Sequence, residues 1–264
     1  MNRLKTAIHL HTDYSWDSNL PPQELVSLGR QQGFQVLAIT DHDEIAGAMR
    51  ARDAARESDP RIIVGEEISS AAGHVIGLFL ERWIPPGLPL EETVARIREQ
   101  GGVVLAPHAF GSLCEGSLMD ELEPNLALFD AIEVFNAQNL FPWEDRAALA
   151  VAERHGKRLY AGADCHLRGS IAPAHQWLAE FADPDGFLQA LESAELVLGR
   201  FNAWYWARMG FRHYWDAVVP WPLPGFAANN RIYHKRGLLS RPRPLPADEL
   251  ARITGASQSI APPH

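Results

Sequence analysis

Six of the eleven histidines stand at or next to the ends of short apolar segments, where acidic residues accompany them. His9 and His11 are two residues apart, and residues i and i+2 of an extended strand face the same side. Imidazole nitrogens combined with carboxylate oxygens suit zinc, iron or manganese. One histidine at a strand end is usually an ordinary polar residue, but six in phase with the strands favour a metal centre. The donors that follow this pattern are His9, His11, His42, Glu67, His74, His108, Asp164 and His166.

The segments that must position these donors alternate between strand and helix patterns. Seven strands are predicted, at residues 6–10, 35–40, 61–68, 74–80, 103–106, 131–135 and 158–161. Helices are predicted at 45–58, 90–100 and 144–155, and a first one from Pro21 to a stop at Gly33. This alternation indicates a mainly parallel sheet, closed as a barrel or doubly wound, whose strand ends gather at one face. Neither a dinucleotide-binding nor a P-loop glycine pattern occurs in the sequence.

Length and composition limit the class of protein. A chain of 264 residues with 46% hydrophobic residues fits one large α/β domain with a substantial core. The sequence contains no apolar run long enough for a membrane span and does not begin with a signal-like segment, so a cytoplasmic location is expected. Two isolated cysteines, Cys114 and Cys165, are expected to be reduced thiols outside the metal site.

Charge divides the chain near residue 199. The net charge of −9 combines nine basic and three acidic residues in 200–264 with 15 basic and 30 acidic residues in 1–199. The basic part opens with seven aromatic residues within 201–215 and is rich in proline from Pro220 onward. We therefore predict a barrel domain at 1–199 and an extension at 200–264. The favoured interpretation packs the extension on the barrel as a cap, and the alternative makes it an arm for nucleic acid.

The motifs taken together resemble the PHP (polymerase and histidinol phosphatase) domain family over about residues 6–195. They are His9-Leu10-His11-Thr12 with Ser15 and Asp17, Thr40-Asp41-His42, Gly65-Glu66-Glu67-Ile68 with His74 and His108, and Gly162-Ala163-Asp164-Cys165-His166. The resemblance implies a distorted TIM-like barrel of seven strands and seven helices, a (β/α)7 fold. It also implies a trinuclear metal site that hydrolyses phosphate esters.

The resemblance implies a ligand set for each of two to three divalent ions, zinc, manganese or iron. The first set is His9, His11, Glu67 and Asp164; the second shares Glu67 and adds His74 and His108; the third is Asp17, His42 and His166. Glu67 is preferred over Glu66 because the family places its acid directly before an aliphatic residue, which is Ile68 in this sequence. Two features depart from the family: His108 is followed by Ala109 instead of proline, and the segment from Glu133 to Asn139 offers amides where some relatives have a histidine.

Two further residues are candidates for catalysis. Asp41, like Asp43, could orient His42 or support other ligands, because a ligating imidazole usually donates its second N–H to a carboxylate or carbonyl. For Asp43, capping of the following helix is an equal alternative. Arg168 is predicted to bind phosphate, with an ordinary surface arginine as the alternative.

These expectations lead to a hydrolase that uses metal-bound hydroxide. The main hypothesis is a phosphoesterase acting on a small phosphorylated metabolite or nucleotide, with no membrane partner. The alternative is a metal-dependent nuclease for single-stranded nucleic acid or oligonucleotides, in which the aromatic and basic extension would stack bases. A non-catalytic accessory domain is disfavoured because the sequence has a candidate for every ligand.

Overall fold

Nine strands and six α-helices make up the part of the chain that the computed structural model describes, residues 3–112, 114 and 116–218. The strands are β1 (Arg3–Leu10), β2 (Val36–Ile39), β3 (Arg61–Ser69), β4 (His74–Leu78), β5 (Val103–Ala106), β6 (Ala131–Asn136), β7 (Arg158–Cys165), β8 (His175–Ala179) and β9 (Glu195–Val197). The helices are α1 (Pro22–Gln31), α2 (Ala46–Ala54), α3 (Leu90–Arg98), α4 (Pro142–Arg154), α5 (Pro184–Leu191) and α6 (Ala203–Val218).

The first seven strands close into a barrel in chain order. β1 pairs in parallel with both β2 and β7, which joins the two ends of the β2 to β7 series. The predicted seven-stranded α/β barrel is therefore confirmed. β8 and β9 were not predicted; β8 runs antiparallel to the first half of β1, and β9 extends the sheet beyond it.

β4 runs antiparallel to both of its neighbours, so the barrel departs from a parallel arrangement at this strand. Only residues 70–73 link β3 to β4, and a link of that length permits a hairpin but not a parallel crossover. The helical layer is also less regular than the implied seven helices. No helix stands between β3 and β4, and two short 3-10 helices, Met119–Glu121 and Leu126–Leu128, connect β5 to β6.

Successive side chains of each barrel strand point to opposite faces, so the strands contribute to two hydrophobic clusters. One cluster takes at least one buried side chain from each of the seven barrel strands, and we assign it to the barrel interior. Its members from the seven barrel strands are Ile8, Val36, Ala38, Ile63, Ile76, Leu78, Val103, Leu105, Ala131 and Tyr160. The alternate residues of the same strands, such as Leu37 and Val64, pack outward with the helices.

Helix α1 begins and ends where the sequence indicates. Pro22 stands in its first turn, and Gly33, just beyond its end, has a φ of 73°, a conformation that favours glycine. Within the helix, a Cβ on Gly29 would lie 2.7 Å from a methyl carbon of Leu37. The absent side chain therefore lets α1 approach β2 closely.

Candidate metal centre

All nine ligand candidates come together, with side chains that are mostly buried, at the rim where the parallel strands end. Glu67 lies at the centre of the group, and five imidazoles lie within 3.4 Å of its two oxygens. The distances are 2.9 Å from Oε1 to His74 Nδ1, 2.8 Å from Oε1 to His108 Nε2, and 3.0, 3.2 and 3.4 Å from Oε2 to His9 Nε2, His11 Nε2 and His42 Nδ1.

His74 reaches this rim because β4 is antiparallel. It is the first residue of β4 and pairs with Ser69, the last residue of β3. In a strand parallel to β3, the first residue would lie at the opposite end of the barrel. The short turn between the two strands thus brings a strand-opening histidine to the rim where the other strands end.

Asp17, His42 and His166 form a second group, at the side of the site lined by the loop after β1. Asp17 Oδ2 lies 3.3 Å from His42 Nε2 and 3.0 Å from His166 Nε2. The ring of His11 stacks on that of His166 with centroids 4.0 Å apart, so His11 also has a donor atom within reach of this group.

Asp164 connects this group with the Glu67 group. Its Oδ1 lies 3.6 Å from His9 Nε2, 3.5 Å from His11 Nε2 and 3.4 Å from His166 Nδ1. The donor atoms of His9, His108 and Asp164 are close enough to hold one ion. The groups found in the structure therefore share more members than the three sets implied by the resemblance, in which only Glu67 was shared.

Backbone conformation directs several of these side chains. His9, His108 and Asp164 have φ values of 67°, 20° and 49°, in the left-handed region that non-glycine residues seldom adopt. The register of β1 shifts between Ala7 and Leu10. His9 and His11 therefore converge through a bulge at His9, and simple strand alternation was the wrong reason for their approach. Such strain is commonly found at functional sites.

The carboxylates and imidazoles shift one another's pKa values. Burial would raise the pKa of Glu67, but His42, His9 and His74 hold it well below its usual range. Burial would raise the pKa of Asp17, but His166 and His42 hold it well below its usual range. Burial would lower the pKa of His42, yet Glu67 and Asp17 raise it to about 10. Both carboxylates are therefore charged at neutral pH.

Unused donor atoms fit this site to divalent cations. Five buried atoms of the candidate ligands lack a hydrogen-bond partner among the described residues: His11 Nε2, Asp17 Oδ1, His42 Nδ1, His108 Nδ1 and His166 Nε2. Buried polar atoms are seldom left unpaired. Four of these atoms belong to His11, Asp17, His42 and His166, whose side chains form one group that could hold a cation between imidazole nitrogens and a carboxylate oxygen.

Asp41 supports the site indirectly. Its Oδ1 accepts hydrogen bonds from the Thr12 N–H and, at 3.0 Å, from the Ser15 hydroxyl, while Oδ2 accepts from the Thr12 hydroxyl at 2.7 Å. Ser15 Oγ in turn lies 3.0 Å from His11 Nδ1 and accepts from the His42 N–H. Burial raises the pKa of Asp41 to about 6, although these donors oppose the shift. Asp41 thus reaches the His11 ring through Ser15.

Asp43 and Arg168 lie away from the donor cluster. Asp43 accepts from the N–H and hydroxyl of Ser69, and its side chain does not cap α2, which begins with no side-chain cap. Arg168 is half exposed, and its Nε donates to Glu24 at 2.9 Å. Phosphate binding by Arg168 stays a prediction, and it would require the guanidinium to exchange Glu24 for the substrate.

Sequence reasoning missed the acid and amides of β6 and the following loop. Glu133 Oε1 lies 2.8 Å from His9 Nδ1, Asn136 Nδ2 donates to Asp164 Oδ2 at 3.0 Å, and Gln138 Nε2 lies 2.8 Å from His166 Nδ1. The available signal was an acidic residue inside the Ala131–Asn136 strand, whose other residues up to Phe135 are apolar. The amides noted as a departure from the family therefore contact two of the ligand candidates.

The start of the C-terminal extension packs beside the site. The N–H of His166 donates to the Tyr205 hydroxyl at 3.3 Å, and Arg200 forms an ion pair with Asp145. Tyr205 and Met209 are buried on one side of α6, whereas Trp204 is 71% exposed. Residues 219–264 lie outside the described part, so the division into two domains stays a prediction. Among the described residues, no helix is both long and apolar enough to cross a lipid bilayer.

Comparison with known proteins gives relatives in both sequence and structure. The family model of the PHP domain matches residues 7–108. An uncharacterized protein of Methanocaldococcus jannaschii is 36% identical over 146 residues, which are 51% of this chain and 82% of that protein. A 5'-3' exoribonuclease of Haemophilus influenzae is 37% identical over 103 residues, 38% of this chain and 37% of the enzyme.

Two solved structures share the fold. A two-domain protein of Bacteroides vulgatus containing a predicted PHP-like metal-dependent phosphoesterase has a TM-score of 0.63 at 17% identity, over 75% of this chain and 65% of that one. A lesion-specific endonuclease of Pyrococcus furiosus has a TM-score of 0.55 at 12% identity, over 74% and 58% of the two chains. The matching motifs, the family model and the relative that is 36% identical show that this chain belongs to the PHP domain family.

Proposed function

We propose that this protein is a metal-dependent phosphoesterase that hydrolyses a phosphate ester of a small metabolite or a nucleotide. The observation that carries the proposal is the Glu67 carboxylate, which is buried and has imidazoles around both oxygens. Such a carboxylate can bridge two ions. The ligands would be His9, His11, Asp17, His42, Glu67, His74, His108, Asp164 and His166.

Bound divalent ions would lower the pKa of a coordinated water towards neutrality and neutralise phosphoryl oxygens. The protein's own groups hold the site in shape for this chemistry. The Thr12 and Ser15 donors fix Asp41, and Ser15 holds the His11 ring through Nδ1. Arg168, at the outside of the site, would bind a substrate phosphate by exchanging it for Glu24.

Packing of α6 beside His166 favours a small substrate. Tyr205 contacts the backbone of this ligand candidate, and Leu167 packs with Tyr205 and Met209. A helix at that position would narrow the approach to the site from one side. We infer that the reacting phosphate belongs to a compact molecule or to a chain end.

A nuclease is the second candidate, and exposed aromatic surface on α6 is the observation that favours it. Trp204 is 71% exposed, and Arg208 lies one helical turn further along. An exposed aromatic ring near a cation is suited to stacking on a nucleobase. The relatives named as an exoribonuclease and a lesion-specific endonuclease support this alternative.

Metal analysis and a substrate panel test the proposal. Protein purified without chelator, with zinc, manganese and iron supplied, is expected to contain two to three ions per chain. Phosphate release is then measured on phosphorylated metabolites, mononucleotides and short oligonucleotides. At most one ion per chain, with supply not limiting, would contradict the proposed site. Cleavage of oligonucleotides alone, with binding that weakens steeply as salt rises, would favour the nuclease.

Isotope labelling tests whether water is the nucleophile. In a single turnover in water enriched in oxygen-18, released phosphate is expected to carry the label. Isolation of a phosphoryl-enzyme would contradict direct attack by water and would indicate a side-chain nucleophile.

A further inference from the structure

Glu133 is a buried acid at the metal site that stands outside every group of donors able to hold an ion together. It lies in the middle of β6 with 2% of its surface exposed. One oxygen, Oε1, is 2.8 Å from His9 Nδ1. The other, Oε2, accepts hydrogen bonds from the His108 N–H and, at 2.9 Å, from Asn136 Nδ2. The carboxylate therefore contacts the back of the site and uses both of its oxygens there.

The first contact decides which nitrogen of His9 is free. Carboxylate oxygens accept hydrogen bonds, and Oε2 of Glu133 already accepts two, so the hydrogen in the Oε1 contact is the one that His9 Nδ1 donates. In the neutral ring, Nε2 then has a free lone pair. That atom lies 3.0 Å from Glu67 Oε2 and 3.6 Å from Asp164 Oδ1, among the groups that would hold an ion. Glu133 thus selects the ring form of His9 that can bind a metal.

The second oxygen extends the same control to two other ligand candidates. The N–H of His108 donates to it from a backbone with a φ of 20°. Asn136 Nδ2 donates both to this oxygen and to Asp164 Oδ2, at 2.9 and 3.0 Å. Since His108 and Asp164 both adopt uncommon backbone conformations, a shared anchor for them stabilises the shape of the site.

Gly162 in β7 leaves the space that this carboxylate occupies. A Cβ at residue 162 would lie 1.5 Å from Glu133 Oε1. Any side chain there would therefore displace the carboxylate from His9. The glycine belongs to the same arrangement as Glu133, and it offers a way to move the carboxylate without changing its charge.

We propose that Glu133 is a positioning residue that selects the metal-binding form of His9 and holds His9, His108 and Asp164 in place, without itself binding the ion. This inference rests on the proposed metal site. It gives a residue of β6 a function in metal affinity that differs from that of the nine ligand candidates, because Glu133 would position ligands and would not bind the ion.

Glu133→Gln tests the inference because an amide cannot satisfy both sides. In one orientation its NH2 faces His9 Nδ1, which must then accept and place its hydrogen on Nε2. In the other, the NH2 faces the His108 N–H and the Asn136 amide, which are both donors. Competition with a chelator is expected to show that zinc binds about 10–100-fold more weakly than in the unmodified protein. The control is Glu66→Gln, which replaces the neighbour of Glu67 that faces away from the site.

Imidazole nitrogen NMR of the zinc-loaded proteins gives a second reading. The unmodified protein is expected to show a hydrogen-bonded Nδ1–H for His9, and Glu133→Gln is expected to lose it or weaken it. Unchanged zinc affinity together with an unchanged His9 signal would overturn the inference. Absence of zinc binding in the unmodified protein would instead overturn the proposed metal site, so the two failures are distinguishable.

Two more variants decide the matter if Glu133→Gln does not fold. Gly162→Ala displaces the carboxylate and keeps its charge, and Asn136→Ala cuts the link to Asp164. Each is expected to weaken zinc binding, with Asn136→Ala giving the smaller change. Gly77→Ala is the control for strain inside a barrel strand, since its Cβ would meet Ile97 at 3.0 Å. The inference would be overturned if Gly162→Ala and Asn136→Ala both bound zinc as tightly as the unmodified protein.

Discussion

Glu66 and Glu67 are neighbours in β3, and neither has any exposed surface, yet their surroundings give them opposite properties. Glu67 faces five imidazoles, and its pKa lies well below the usual range. Glu66 faces the other side of the strand, where its Oε2 accepts one hydrogen bond from the Ile84 N–H. Burial, reinforced by Asp43, raises the pKa of Glu66 well above normal. Burial alone therefore does not decide whether an acid is charged; its partners do.

The buried acids fall into two sets, which differ in whether their partners are imidazoles or other hydrogen-bond donors. The inner carboxylates, Asp17, Glu67, Glu133 and Asp164, contact imidazoles. The outer carboxylates, Asp41, Asp43, Glu66, Glu144 and Asp145, accept hydrogen bonds from backbone N–H groups and mostly from side chains as well. We expect the inner set to control metal binding and the outer set to control the stability of the loops around the site.

Glu67→Gln should have the largest effect. Loss of the shared carboxylate is expected to remove two ions together and to lower phosphate release about 100-fold or more, since each ion supplies several kcal/mol of transition-state stabilisation. Elemental analysis and steady-state kinetics measure both, with Glu66→Gln as the matched control. Loss of a single ion would place the bridge on another residue.

Truncation after Gly199 tests whether an outer carboxylate depends on the C-terminal extension. The truncation removes Arg200, which is the ion-pair partner of Asp145, together with the buried Tyr205 and Met209. Their burial corresponds to roughly 1.5–3 kcal/mol for each side chain, so a clear fall in melting temperature and exposure of apolar surface are expected. A chain ending after Val218 is the control. Unchanged melting of the shorter, metal-loaded chain would argue against a docked cap.

Asp41→Asn should have a smaller effect, on stability more than on chemistry. The new NH2 group would face the hydrogen-bond donors of Thr12 or Ser15, which is expected to lower the free energy of unfolding by about 1–3 kcal/mol. Zinc binding is expected to weaken up to about 10-fold through loss of support for His11. Denaturant titration measures the first effect, and exposed Asp53→Asn is the control. If Asp41→Asn were as stable as the unmodified protein, Asp41 would not contribute to the stability of the loops around the site.

Glu66→Gln should have the smallest effect and the opposite sign. Because the folded-state pKa of Glu66 is raised, its stabilising contribution is complete below the unfolded pKa and is lost as pH rises through the folded value. The variant avoids that loss, so its unfolding free energy should exceed that of the unmodified protein at pH 8 by about 1 kcal/mol and match it near pH 4. Thermal melts at the two pH values measure the difference. A less stable variant at pH 8 would show that Glu66 is ionised in the fold.

The strands of the barrel and the residue types of the site could be predicted from the order of the amino acids. Local patterns sufficed because each strand contains a short apolar run, and because His166 follows β7 directly while His42 comes three residues after the end of β2. The start of α1 at a proline and its end before Gly33 were equally local signals.

How the donors meet depends on contacts that form only when the whole chain folds. The bulge at His9, the direction of β4 that brings His74 to the rim, and the contact of Glu133 with His9 join residues that are far apart in the chain or depend on sheet pairing. Periodicity reports which face a side chain occupies along its own strand, but it does not report strand direction or which side chain lies opposite. For that reason Glu133 looked like one more strand residue in the sequence, while the fold placed its carboxylate against His9.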